Sequence, residues 1–139
     1  MKIAFILIVI HYIADFIFQA EDWAINKSKS NSALLKHTGT YTLVFFFFFA
    51  NWCVYCNHIS HVTASDMGWD WRVLLFFPIT FVAHTITDYI TSRWVSGKFK
   101  RNHLGSPIPN FGAFSSIGFD QVLHYFQLFL TYYYLKTWV

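Results

Sequence analysis

The sequence predicts an all-α fold: a polytopic membrane protein in which four transmembrane helices form one bundle. Three observations predict it. The chain is 55% hydrophobic and 22% aromatic but only 12% charged. Four apolar stretches approach the roughly 20 residues that a helix needs to cross the hydrocarbon. Histidine and aspartate recur inside those stretches at a spacing of four. At 139 residues the chain is a single domain, too short to enclose its 17 Phe residues in a water-soluble core. The net charge of +3 is small and scattered, which excludes a nucleic-acid partner and leaves membrane lipid as the solvent of the apolar exterior.

The spans are expected at about 3–19, 34–55, 71–94 and 117–138. Trp52, Trp71, Trp94 and Trp138 fall near the proposed ends, where indole rings favour the headgroup layer. Pro78 lies inside the third stretch and predicts a kink there, since it removes the bond to the Leu74 carbonyl. Gly105 to Gly118, with Pro107 and Pro109, reads as a loop, and Ser115 or Ser116 could cap the fourth helix. A secretory signal competes for the first stretch, but His11 and Asp15 within it and the absence of a cleavage pattern before Glu21 argue against one.

Orientation follows from the basic residues. Lys27, Lys29, Lys36, Arg93, Lys98, Lys100 and Arg101 flank the connections after spans one and three, whereas the opposite side holds Lys2, Arg72 and Lys136. The loops 20–33 and 95–116 are therefore expected to be cytoplasmic, with both termini and the loop 56–70 outside.

The chemistry lies in the spans. The first carries His11 and Asp15, the second His37, the third His84 and Asp88, the fourth Asp120 and His124. Four residues along an α-helix return to the same face about 6 Å away, so three helices each present a His/Asp pair on one stripe. By the orientation above, all seven groups converge on the cytoplasmic half of the bilayer. Ionisable groups there cost at least a few kcal/mol each unless a partner or an ion offsets it. Four imidazoles and three carboxylates form a nitrogen and oxygen donor set suited to zinc first, with manganese or iron as alternatives. One or two divalent ions per chain fit that number of donors. A metal-free proton path and a purely structural ion-pair network are the competing readings.

Nearer the mouth, Gln19, Asn26, Lys27, Lys36, Arg93 and Gln121 are candidates to bind an anionic head group, with Arg93 as a bidentate fork. The plainer reading is snorkelling and positive-inside topology for the first five, and helix-helix bonding or ligand orientation for Gln121 and Gln127. Thr80 and Ser92 continue the His84/Asp88 stripe. Cys53-x-x-Cys56 with His58 and His61 permits a disulfide or a metal, although short Cys/His clusters arise easily by chance. The run Phe45 to Phe49 reads as lipid-facing and packing surface.

His11-x-x-x-Asp15-Phe16-x-x-Gln19, followed by Asp22-Trp23 and Asn26-Lys27-Ser28-Lys29, resembles the opening of a bacterial and phage membrane family known as domain of unknown function 3307. His37, His84-x-x-x-Asp88 and Asp120-Gln121-x-x-His124 fit the same pattern, so the resemblance covers nearly the whole chain. It implies a bacterial cytoplasmic membrane and lends no activity. A looser similarity connects the arrangement to membrane-bound, metal-dependent hydrolases, by analogy alone. Spans one and three also share polarity and a His/Asp pair, which suggests two related helix hairpins.

Two classes of function are expected from these residues. The first is a metal-dependent hydrolase acting on an anionic lipid or lipid-phosphate head at the cytoplasmic leaflet, with Asp15 or Asp120 as general base. The second is a divalent-metal or proton transporter, which in a homo-oligomer could form a pore. A non-catalytic phage membrane protein acting on a host partner is the third possibility, with no partner motif to support it.

Overall fold

A computed structural model describes residues 2–60, 74–101 and 111–137. Those residues are helical and contain no strand. Helix α1 spans Lys2–Tyr12 and runs directly into a π turn at Ile13–Ile17. A short α2 (Glu21–Asn26) follows, then α3 (Asn31–Ser60), α4 (Phe76–Lys100) and α5 (Phe111–Thr137).

The helices close a four-membered ring in which α1 touches α3 and α5, and α4 touches α3 and α5. Side-chain pairs fix the directions. His37 meets His84 while Phe45 meets Phe76, so α3 and α4 are antiparallel. Thr91 meets Asp120 while Gln127 meets Thr80, so α4 and α5 are antiparallel too. His11 meets Tyr41 and Asp15 meets His37, which runs α1 against α3. The bundle is up-down-up-down, the order that short connections favour.

Its interior holds a polar cluster, and its exterior is rich in apolar side chains. His11, His37, Thr38, Thr80, His84, Asp88 and His124 are fully or almost fully buried. Phe5, Phe47, Val54, Phe114, Phe126 and Tyr133 are each more than 60% exposed. Leu7, Ile10, Ala14, Tyr41, Val44, Phe45, Phe76 and Leu128 form a small apolar core beside the polar cluster. The Phe run obeys helical period within this scheme: Phe45 is buried and Phe49 packs on the core, while Phe46, Phe47 and Phe48 face outward. One helix, α3 over Asn31–Tyr55, is long and apolar enough to cross a membrane, and Ile3–Ile17 is a shorter apolar segment.

Several expected boundaries move. The third helix begins at Phe76 rather than near residue 71, so Pro78 lies in its first turn. An amide there has no intrahelical acceptor to lose, so the predicted kink has no cause. The fourth helix begins at Phe111, six residues before the expected 117, because Gly112 and Gly118 are carried within the helix. Ser115 and Ser116 therefore sit inside α5 rather than at its start; the Ser116 hydroxyl donates back to the Gly112 carbonyl at 2.7 Å. Helix α3 runs past the expected 55 to Ser60, and its true cap is Ser30, whose Oγ accepts from the Ala33 amide. Trp71, Trp138, Arg72, His61, Gly105, Pro107 and Pro109 lie outside the described residues, as does the Cys56 side chain. The disulfide expectation at Cys53 and Cys56 therefore also lies outside the described residues.

The N-terminal apolar segment departs most from a straight helix. The Phe18 amide donates to the Ile13 carbonyl, a bond five residues long that widens the turn around Asp15. Such single wide turns concentrate at functional sites. Ala20 is extended and ends the segment, and its carbonyl accepts from the Trp23 and Ala24 amides that open α2. The Asn26 carbonyl then accepts from the Lys29 and Ser30 amides, turning the chain into α3. The connection expected as a plain loop is thus an ordered bracket that carries Lys27 back to the bundle.

Candidate metal centre

The cluster builds up in layers along the bundle. Nearest the connections, Thr91 Oγ1 donates to Asp120 Oδ1 at 2.6 Å. One turn deeper, Asp15 from the π turn, His37 from α3 and Asp88 from α4 converge. His37 Nε2 lies 3.1 Å from Asp15 Oδ1 and 3.0 Å from Asp88 Oδ2. Deeper still, His84 Nε2 lies 3.2 Å from the same His37 nitrogen, 3.7 Å from Asp15 Oδ1 and 3.8 Å from Asp88 Oδ2. His124 closes the far side, with Nε2 3.3 Å from Asp88 Oδ1 and 3.5 Å from Asp120 Oδ2.

These separations match what a small ion requires. A tetrahedral ion with bonds of about 2.0–2.1 Å holds its donor atoms about 3.3 Å apart. Asp15, His37 and His84 form one buried group that could hold a metal ion, and His84, Asp88 and His124 form another. All three imidazoles of these groups turn Nε2 toward the carboxylates, while each Nδ1 is buried without a hydrogen-bond partner. Asp15 Oδ1 is likewise buried and accepts no hydrogen bond, although a ring nitrogen stands 3.1 Å away. The two facing nitrogens of His37 and His84 can share only one proton between them. Both features suit a cation among the donors.

His11 and Asp120 belong to neither group. His11 is buried with both nitrogens engaged: Nδ1 is 2.8 Å from the Tyr41 hydroxyl and Nε2 is 2.6 Å from Gln121 Oε1. Its nearest carboxylate oxygen, Asp15 Oδ2, is 3.8 Å away. Gln121 in turn donates to Asp15 Oδ2 at 3.1 Å and to Asp120 Oδ2 at 3.4 Å. His11 and Gln121 thus orient the carboxylates from behind, the supporting role that ligand sites depend on. His11 and His84 occupy matching places in α1 and α4, yet only His84 faces the carboxylate pair, so the two hairpins are chemically unequal.

Lys27 enters from the bracket. Its ammonium is 3.0 Å from Asp88 Oδ2, and its side chain is 18% exposed. Burial alone would lower its pKa, but the neighbouring charges of Asp88 and Asp15 outweigh that and hold it above the ordinary lysine value.

A cavity of about 370 Å³ opens beside the cluster, lined by Asp15, Gln19, Lys27, Ser92, Asp120 and Gln121 among others. Gln19 Oε1 and Ser92 Oγ in its wall are buried without partners. The other candidate head-group residues lie off it. Asn26 Nδ2 is spent on Asp22, Lys36 is exposed, and Arg93 donates to Asn31 Oδ1 at 2.7 Å while lying over the Tyr89 ring.

Two members of the site escaped the sequence reading. Tyr41 bonds His11 and stacks on His84 with ring centroids 3.8 Å apart, and Thr91 fixes Asp120. Both signals were present, since Tyr41 is four residues beyond His37 and Thr91 three beyond Asp88.

Fold and site together define an all-helical protein with a buried His/Asp centre that could hold a metal ion. Among families, the model described as protein of unknown function (DUF3307) matches residues 3–139, and the chain belongs to that family. No curated protein and no solved structure matches it.

Proposed function

We propose that the chain is a four-span protein of the bacterial cytoplasmic membrane that binds a divalent ion and hydrolyses an anionic lipid head group. The inside-out distribution of polarity supports the membrane reading: a bundle that buries imidazoles and exposes phenylalanines is arranged for an apolar solvent. Helices α4 and α5 reach the required length but carry their polar stripe inward, which lowers their average apolarity. The basic connections orient the cluster toward the cytoplasm.

The observation that carries the hydrolase reading is the cavity reaching Asp15 and Asp120. A site for turnover needs room beside the ion, whereas a structural cluster does not. Asp15, His37 and His84 would hold zinc first, or manganese or iron, with Asp88 and His124 beside them. When bound, such an ion supplies a Lewis acid and a water that ionises near neutral pH. Thr91 holds Asp120 Oδ1, so Oδ2, with its two longer contacts, is the atom placed to hold a proton from the attacking water. Among the titratable lining groups, Asp15 and Asp120 oppose Lys27 alone, so the ion's charge is what admits an anion.

Thr80, Gln127 and Thr131 form a hydrogen-bonded set on the far side of His84 and His124, and that set favours transport as the second reading. Phe45, Phe76 and Leu128 pack at the same level and close the way.

One experiment separates them. Sealed vesicles of phosphatidylglycerol doped with a polyprenyl phosphate, carrying the purified chain in both orientations, are assayed for released head group and for metal or proton flux. Release is expected only from leaflets facing the basic connections. A chelator or Asp120→Asn should lower it at least about 100-fold. Flux without release would replace hydrolysis by transport, and neither would end both readings.

A further inference from the structure

The number of ions in the centre is decided by Lys27. We infer that each chain holds one divalent ion and that the Lys27 ammonium serves as the second cation, keeping a second metal ion out. The inference rests on the metal reading above and adds to it a residue with a defined task.

Charge is the first argument. The cluster contains three carboxylates, Asp15, Asp88 and Asp120, and its imidazoles must be neutral to donate lone pairs. One divalent ion and one ammonium neutralise three carboxylates. Two divalent ions with the ammonium in place would leave a net charge of about +2 in a buried site, a cost the bundle has no means to offset.

Geometry is the second. The two candidate groups share His84, and its Nε2 is the nitrogen facing both Asp15 and Asp88. A nitrogen lone pair serves one ion at a time, so the two groups cannot both be filled. A second ion would have to turn to Asp88, His124 and Asp120, whose atoms lie 3.3 and 3.5 Å apart across His124 Nε2. Lys27 holds the other oxygen of that same Asp88 carboxylate, its ammonium 3.0 Å from Oδ2, and its charge acts on Asp15 and Asp120 as well.

Placement is the third. Lys27 is not a mobile surface lysine that fell onto a carboxylate. Its amide donates to the Trp23 carbonyl, and the turn after it is closed by the Asn26 carbonyl, so the bracket delivers the side chain to the cluster.

The test is metal stoichiometry. Native chain, Lys27→Arg and Lys27→Met are purified in detergent, loaded with excess zinc, desalted and measured by elemental analysis against protein concentration. One zinc per chain is expected in the native protein and in Lys27→Arg, and two in Lys27→Met, a doubling. Two zinc ions in the native chain, or one in folded Lys27→Met, would overturn the inference while leaving the metal centre standing. No zinc in the native chain would remove the metal centre itself. Should Lys27→Met not fold, Lys27→Gln, equally uncharged, takes its place with the same two outcomes.

Discussion

Replacing Asp88 with alanine is expected to destabilise the metal-free protein by about 3–5 kcal/mol, the cost of leaving a buried charge unpaired. Asp88 is the hub of the centre. Its Oδ2 is 3.0 Å from both Lys27 Nζ and His37 Nε2, and its Oδ1 is 3.3 Å from His124 Nε2. Without it, the Lys27 ammonium remains largely shielded from water, with only the more distant charges of Asp15 and Asp120 to answer it. The loss should therefore belong to the partner left behind. Adding Lys27→Met to Asp88→Ala should return more than half of it, because removing both members of a buried pair costs far less than removing one. Reversible unfolding in mixed micelles measures all four members of the cycle. Stability losses that simply add would show that the two residues do not act as a pair.

His84→Ala should reduce zinc affinity by about 100-fold or more, read by competition with a chromophoric chelator. His84 is the one residue common to both candidate metal groups. Its ring is also clamped between Tyr41 and His124, with centroids at 3.8 and 4.1 Å, so its nitrogen is aimed before any ion arrives. His11→Ala provides the contrast. The His11 nitrogens are taken by Tyr41 and Gln121, so its removal should cost only about the 10-fold typical of a supporting residue. Equal losses in the two variants would mean that the ring contacts, rather than a metal bond, set the affinity.

The difference between these two histidines marks how far the sequence could be read. Pairs spaced by four in three apolar helices place their side chains on single faces, and that periodicity marked Asp15, His84, Asp88 and His124, which meet the lone His37 of α3 in one place. It said nothing of which nitrogen each histidine presents. That depends on cross-helix partners such as Gln121, which has no sequence-local relation to His11. The π turn was hidden as well. Ile13 to Ile17 is an ordinary apolar run apart from Asp15, and nothing local in it marks the wide turn that carries Asp15 to His37 and Gln121. The ordered bracket at α2 was masked by its polar composition. The early start of α5 was masked by two glycines that a packed helix tolerates. Lys27 was legible as a basic residue at the mouth, but its reach to Asp88 required that bracket.

The most direct measurement is X-ray absorption at the edge of the metal bound to the purified, zinc-loaded chain. The account predicts only nitrogen and oxygen donors at about 2.0–2.1 Å, with the outer-shell scattering of two or more imidazoles. A spectrum dominated by sulfur at about 2.3 Å would move the metal to cysteine, and a chain retaining no metal would contradict the central claim.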